Sequence, residues 1–213
     1  MATEVDWNSV GGKSGGGSKA QFIRFTAGKT EKMRPVGKAV EFCKFFVQTP
    51  NGNRSVCVDL EHSEKAAGLL SDHTGQEIIP QHRFAINVID RSDGDVKILE
   101  GGRSIFKAFA SWAKETDSHP GGQGGGDWAI EATGEGKMRR YQPNHLKSTK
   151  ITEEEKAKVK STIEERSLEE VFKAVPLDNL INRVFGSPNG EPEPNKTAQA
   201  AGSSSTDDDV IKW

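Results

Sequence analysis

Cysteine is scarce in this chain of 213 residues, with only Cys43 and Cys57. Two are too few for a disulfide framework, and a reducing cytosol is the expected compartment. No apolar run approaches the roughly 20 residues needed to span a bilayer, so an integral membrane protein is not expected. The opening residues, Met1 to Trp7, have neither a basic n-region nor an apolar h-region, so no secretory signal is expected. Hydrophobic residues make up only 33% of the chain. That is under the roughly 45–50% of ordinary globular proteins, a figure that also counts glycine, so part of the chain is expected to join no core. The formal net charge of −2 argues, taken whole, against a basic nucleic-acid binder.

The charge is unevenly distributed. Residues 13–54 hold nine basic side chains against two acidic ones, a net of +7, whereas residues 151–213 hold eight against thirteen, a net of −5. A basic front joined to an acidic rear points to nucleic-acid binding with an acidic tail. Composition divides the chain further. Residues 1–19 are a Gly-rich, basic, flexible arm. Residues 20–150 alternate short strand patterns with turn signals. Residues 151–186 are helical, and 187–213 are polar and expected to be disordered.

The strand region favours a small antiparallel barrel. Gln21–Phe25 is short and aromatic-rich. Lys38–Gln48 alternates with Val40, Phe42, Lys44 and Phe46 on one face and Glu41, Cys43, Phe45 and Val47 on the other. Pro50-Asn51-Gly52 supplies hairpin chemistry before Arg54–Leu60. Strands follow over Arg83–Asp90, Val96–Leu99, Trp128–Ala132 and Lys137–Gln142. A helix from Arg103 to about Lys114 carries Ile105, Phe106 and Phe109 on one stripe, with Trp112 or Ala113 completing it. Five or six such strands with one inserted helix suggest a mainly-β, OB-fold-like Greek-key barrel, with a β-sandwich as the alternative.

The same region carries the ingredients of a single-strand groove, in which cations follow the phosphates and aromatic faces stack the bases. Arg24 lies beside Phe25, Lys38 and Lys44 lie along one strand, and Arg54 follows the hairpin turn. Lys137-Met138-Arg139-Arg140-Tyr141 is the densest cluster, and strand alternation would place Lys137, Arg139 and Tyr141 on one face. Phe22, Phe42, Phe46 and Phe84 are read as core. Phe45 lies on the face opposite Phe42 and Phe46, so one face exposes an aromatic unless both are covered; Phe45 is carried as a DNA-contact candidate.

Apparent catalytic motifs fail on context. Gly12-Lys13-Ser14 resembles the end of a phosphate loop, but the required glycine five residues earlier is Trp7 and no strand leads in. The glycine run at 121–126 follows a helix, not a strand, and reads as a flexible loop that could close over a ligand. Cys57, His62, His73 and His82 match no zinc-finger spacing. No nucleophile–base signature is present, and no enzyme, metal or cofactor is expected.

In the rear, Thr152-Glu153-Glu154-Glu155 is a capping box opening a mixed-charge helix. Apolar positions recur over Ser167–Ala174 and Leu177–Phe185, and Gly186 is placed to end the last helix. The final Asp207, Asp208, Asp209, Val210, Ile211, Lys212 and Trp213 suit a short peptide that docks in a partner groove with a basic rim.

Several of these stretches together resemble a known family. Val96-Lys97-Ile98-Leu99-Glu100-Gly101-Gly102-Arg103-Ser104-Ile105-Phe106, then Asp127-Trp128-Ala129-Ile130, Gly134-Glu135-Gly136 and Tyr141, are similar to bacteriophage single-stranded DNA-binding proteins of the T-even helix-destabilising type. The order from Phe42 to Val58 across Asn51-Gly52 is similar too. The resemblance covers roughly residues 20–143, together with the general form of the acidic tail. It implies an OB-fold that binds single-stranded DNA without sequence choice, and a tail that recruits replication, recombination or repair proteins; the expected setting is the host-cell cytoplasm, and the basic Gly-rich arm is expected to contact DNA or to support self-association with a neighbouring protomer along the strand. Two departures stand out. The cysteine cluster that carries zinc in T-even members is missing here, and the tail ends in Trp213 where bacterial single-stranded DNA-binding proteins usually end in Phe. The same groove would also suit RNA, and a non-nucleic-acid β-domain is the remaining alternative.

Overall fold

The computed structural model describes residues 20–122, 125–134, 136–146 and 150–186. The N-terminal arm and the acidic tail, with Asp207 to Trp213, lie outside the described residues. In chain order the elements are β1 (Thr30–Thr49), β2 (Gly52–Val58), α1 (Ser63–Thr74), β3 (Gln81–Asp90), β4 (Val96–Gly101), α2 (Arg103–Thr116), β5 (Trp128–Thr133), β6 (Arg140–His145), α3 (Glu153–Glu165), α4 (Leu168–Val171) and α5 (Leu177–Phe185). The protein is mainly β, with a six-stranded antiparallel sheet that does not close. The strand order is β4-β3-β1-β5-β6, and β2 pairs with β1 off that path.

The chain forms two compact units, and β1 contributes residues to both. The hairpin unit takes Phe42–His82 and returns at Phe172. Within it, β1 and β2 pair around the Asn51-Gly52 turn with Phe45 opposite Val56 and Val47 opposite Arg54. Alternation sends Cys43, Phe45 and Val47 inward, where they meet Val56 and Val58, Ala66 and Leu70 of α1, and Leu180 and Val184 of α5. The four-residue spacings Ala66/Leu70 and Leu180/Val184 each put two apolar groups on one helix face. The Val175 N–H donates to the Cys57 carbonyl at 2.8 Å and ties the segment before α5 to β2. Burial pushes the Cys43 thiol above its ordinary pKa.

The sheet unit holds Lys19–Glu41 and Arg83–Val171. One sheet face packs on α2: Met33, Ile86, Val88, Leu99, Trp128 and Ile130 meet Ile105, Phe106 and Phe109. The other face packs on α3 through Val36, Ile89, Val96 and Val159. The expected capping box is present, with the Glu155 N–H on Thr152 Oγ1 at 3.2 Å and the Thr152 N–H on Glu155 Oε2 at 2.8 Å.

The glycine run does not have the character expected of a flexible loop over its described residues. Gly121, Gly122, Gly125 and Gly126 are buried. Arg34, itself only 2% exposed, donates from Nε to the Gly121 carbonyl at 2.8 Å and from Nη2 to the Gly122 carbonyl at 2.9 Å. A Cβ on Gly121 would lie 1.7 Å from the Pro35 carbonyl oxygen, so no other residue fits there. The loop is therefore pinned against β1. Burial lowers the Arg34 pKa from its ordinary value, and the nearby Asp127 charge only partly opposes this.

Three boundaries depart from the sequence expectation. β1 begins at Thr30 and runs through Pro35 and Gly37, and Gly37 takes φ +70, which only glycine adopts without strain. Residues 63–74, to which the sequence assigned no element, form α1. Residues 21–25 make only a single bridge, Phe22 to Ile98, rather than a strand.

Candidate nucleic-acid interface

Residues 21–29 position the first part of the candidate surface. Their start lies along β4, with the Ile23 N–H on the Ile98 carbonyl at 2.9 Å and the Ile98 N–H on the Gln21 carbonyl at 2.8 Å. Their end reaches β5, where the Gly28 N–H donates to the Ala132 carbonyl at 2.8 Å. Ala132 is directly opposite Tyr141 of β6. Phe25 therefore meets Tyr141 edge-to-face, with ring centroids 5.0 Å apart at 62°. Both rings are half-buried against the core of the sheet unit. Arg139 Nη1 donates to the Phe25 carbonyl at 3.3 Å, and Arg24 and Arg140 are exposed beside the two rings in the chain. Five predicted contact residues, Arg24, Phe25, Arg139, Arg140 and Tyr141, thus come together on one unit.

The strand logic used for the Lys137 cluster does not hold. Residues 136–138 form one turn of 3₁₀ helix, and β6 begins at Arg140. Period-2 alternation cannot be counted across that turn, so Arg139 and Tyr141 meet through Phe25 rather than through a shared strand face. The Lys137 side chain lies outside the described residues. Lys38 is exposed on β1, just past Gly37.

In the hairpin unit the aromatic assignment is reversed. Phe45, carried as a stacking candidate, is 0% exposed, so its ring cannot receive a base. Phe46, read as core, is 39% exposed. The reason is what covers each face. Phe45 falls under α1 and α5, and Phe42 on the other face is covered by Phe172, stacked at 4.2 Å and 21°. Phe46 lies four residues further along β1 than Phe42. Lys44 Nζ sits 5.5 Å from the Phe46 ring centroid, within cation–π range. Arg54 is exposed near the turn. Phe22, also read as core, is 37% exposed.

One aromatic group was missed. His145, at the far end of β6, stacks on Trp112 of α2 at 4.8 Å and 29°, and meets Trp128 edge-to-face at 5.2 Å and 70°. Extending the alternation from Tyr141 through Pro143 to His145 would have found it. Burial lowers the His145 pKa, and Asp127 opposes the shift.

Cys57, His62, His73 and His82 are not gathered into a metal centre; among the described residues no three His, Cys, Asp or Glu side chains could share an ion. No helix among the described residues is long and apolar enough to cross a membrane. No protein-family model matches the chain, and no curated protein matches it.

Proposed function

We propose that this chain is a non-enzymatic single-stranded DNA-binding protein of a phage, acting in replication, recombination or repair in the host cytoplasm. The observation that carries the reading is the Phe25–Tyr141 ring pair with Arg139 bound to the Phe25 backbone. Half-exposed aromatic edges flanked by exposed arginines are what sequence-independent binding of single strands needs: faces for any base and charge for the phosphates.

The order of elements supports an OB-fold reading of the sheet unit. Without β2, the path β4-β3-β1-β5-β6 has five strands, and α2 falls between the third and fourth in chain order. OB-folds bind oligonucleotides with the loops after the first and fourth strands. Here the turn after the fourth strand is the β5–β6 turn, which carries Arg139; Lys44 and Phe46 at the end of β1 and Arg54 of β2 belong to the hairpin unit by itself. Asp207 to Trp213 would recruit partner proteins, and self-association along DNA would involve the basic arm.

The test is fluorescence anisotropy of labelled oligo-dT across a salt series, with RNA and duplex competitors. Arg24→Ala, Arg139→Ala and Arg140→Ala change exposed side chains, so the fold is retained. Together they should lower the salt slope by about 2, at about 0.7 per lost single-strand phosphate contact. Duplex bound as tightly as single strand, or affinity indifferent to salt, would refute the reading; preference for RNA would move it to the RNA alternative.

A further inference from the structure

The sheet unit contains a depression of about 400 Å³, largely open to solvent, that the surface described above does not use. Its lining includes Lys32 of β1, Arg91 after β3, Asp127 before β5, and Lys150, Thr152 and Glu155 at the start of α3. Both carboxylates are already committed. Asp127 Oδ1 accepts from Arg91 Nε at 3.0 Å and Nη2 at 2.9 Å. Glu155 accepts from Arg91 Nη1 through Oε1 and from the Thr152 N–H through Oε2. A metal ion would have to displace these partners, so the cavity is not built for a cation.

The remaining charge is positive. Lys32 and Lys150 are exposed at the rim and form no ion pair among the described residues. Thr152 Oγ1 accepts from the Glu155 N–H, and its hydroxyl proton remains to be donated. Arg91, with its side chain 19% exposed and fixed by two carboxylates, lines the same depression, its pKa raised because hydrogen bonds and charge from Asp127 and Glu155 outweigh its burial.

We propose that this cavity is a phosphoryl-binding site, with Lys32 and Lys150 neutralising the oxyanion and Thr152 donating to it. The volume exceeds a bare phosphate and accommodates a nucleotide-sized body. The phosphate has two possible sources, a free mononucleotide or the backbone of a bound strand. Tyr141 lies five residues before Leu146 at the cavity wall, about 17 Å along an extended strand. A single strand held at Tyr141 therefore reaches the cavity within a few nucleotides. Only the backbone source rests on the proposed function; the site itself does not.

Inorganic phosphate and dTMP are titrated into the full chain by calorimetry, with the Arg91 Nε–H followed by NMR. The wild type should bind, with an Arg91 Nε–H shift. Lys32→Gln with Lys150→Gln should weaken binding about tenfold, as two solvent-open charge contacts are each worth several-fold. Lys65→Gln on α1, which removes one positive charge away from the site, should leave it unchanged. Absence of wild-type binding to both probes, or equal binding by the double variant, overturns the site. The salt slope for oligo-dT then names the source. A fall of about 1.4 in the double variant supports the backbone, and an unchanged slope supports the free nucleotide. Should oligo-dT not bind at all, the proposed function fails while the dTMP titration still decides the cavity.

Discussion

Replacing Arg34 by methionine tests the central polar feature of the sheet unit. The side chain is 3% exposed, forks onto two loop carbonyls at 2.8 and 2.9 Å, and approaches Asp127 at 3.9 Å. Methionine keeps much of the volume but leaves the Gly121 and Gly122 carbonyls without this donor. Each hydrogen bond to a charged group is worth about 1.5–3 kcal/mol, and removing one partner of a buried pair costs about 3–5 kcal/mol. Asp127 retains Arg91 at 2.9 Å, and the desolvation of Arg34 is relieved, so the total stays within that second range. Urea unfolding followed by tryptophan fluorescence measures it. Trp112 and Trp128 both lie in this unit, and Trp128 Nε1 donates to the Pro120 carbonyl in the same loop at 3.1 Å. Arg34→Lys keeps the charge but not the fork and should recover less than half of the loss. Gly121→Ala should destabilise alone yet cost less on top of Arg34→Met, because both release one loop. A loss below about 1 kcal/mol for Arg34→Met, or full recovery by lysine, would refute the account.

Phe45→Ala should cost about 3–5 kcal/mol, as a large buried ring does, while its neighbour Phe46→Ala should cost under about 1 kcal/mol as a surface change; comparable urea midpoints would contradict the burial pattern. Thr152→Ala removes the capping box of α3 and should lower stability by about 1 kcal/mol, read as a midpoint shift at constant m-value. His119 is held below its ordinary pKa by burial, with the Arg34 charge adding to the effect and the bond to the Gly37 carbonyl opposing it. Its Nδ1 accepts the Gly121 N–H at 3.1 Å, so Nε2 carries the proton towards the Gly37 carbonyl. Because the folded value is depressed, the stability it contributes is complete above the unfolded value near 6.5 and is lost as pH falls through the folded value. Imidazole NMR should show this tautomer at neutral pH; protonation at or above pH ~6.5 would contradict the burial.

Much of the architecture was legible because it is locally encoded. The Asn51-Gly52 turn, the stripe of Ile105, Phe106 and Phe109, and the Thr152–Glu155 box each bring their own hydrogen-bonding or periodic signal within a few residues. β6 was misplaced by three residues because Gly134 and Gly136, both at positive φ, extend the turn before it, and Pro143 argues against a strand unless the strand is at an edge. α1 escaped notice because its buried face is small, only Ser63, Ala66 and Leu70. Of the candidate site, the residue types were legible and the grouping was not. Arg139 and Phe25 are 114 residues apart in the chain, and no spacing rule joins them.

The sequence by itself determined the mainly-β character, the inserted helix, the helical rear and the concentration of basic and aromatic residues. These follow from periodicity, turn chemistry and charge, which act over a few residues. Only the tertiary structure decided that Phe45 is core and Phe46 is exposed, that the glycine run is pinned by Arg34, and that Lys32 and Lys150 share a cavity. Alternation assigns residues to faces but cannot say what covers a face. That depends on α1, α5 and Phe172 arriving from distant parts of the chain, and on the desolvation and pairing that their arrival imposes.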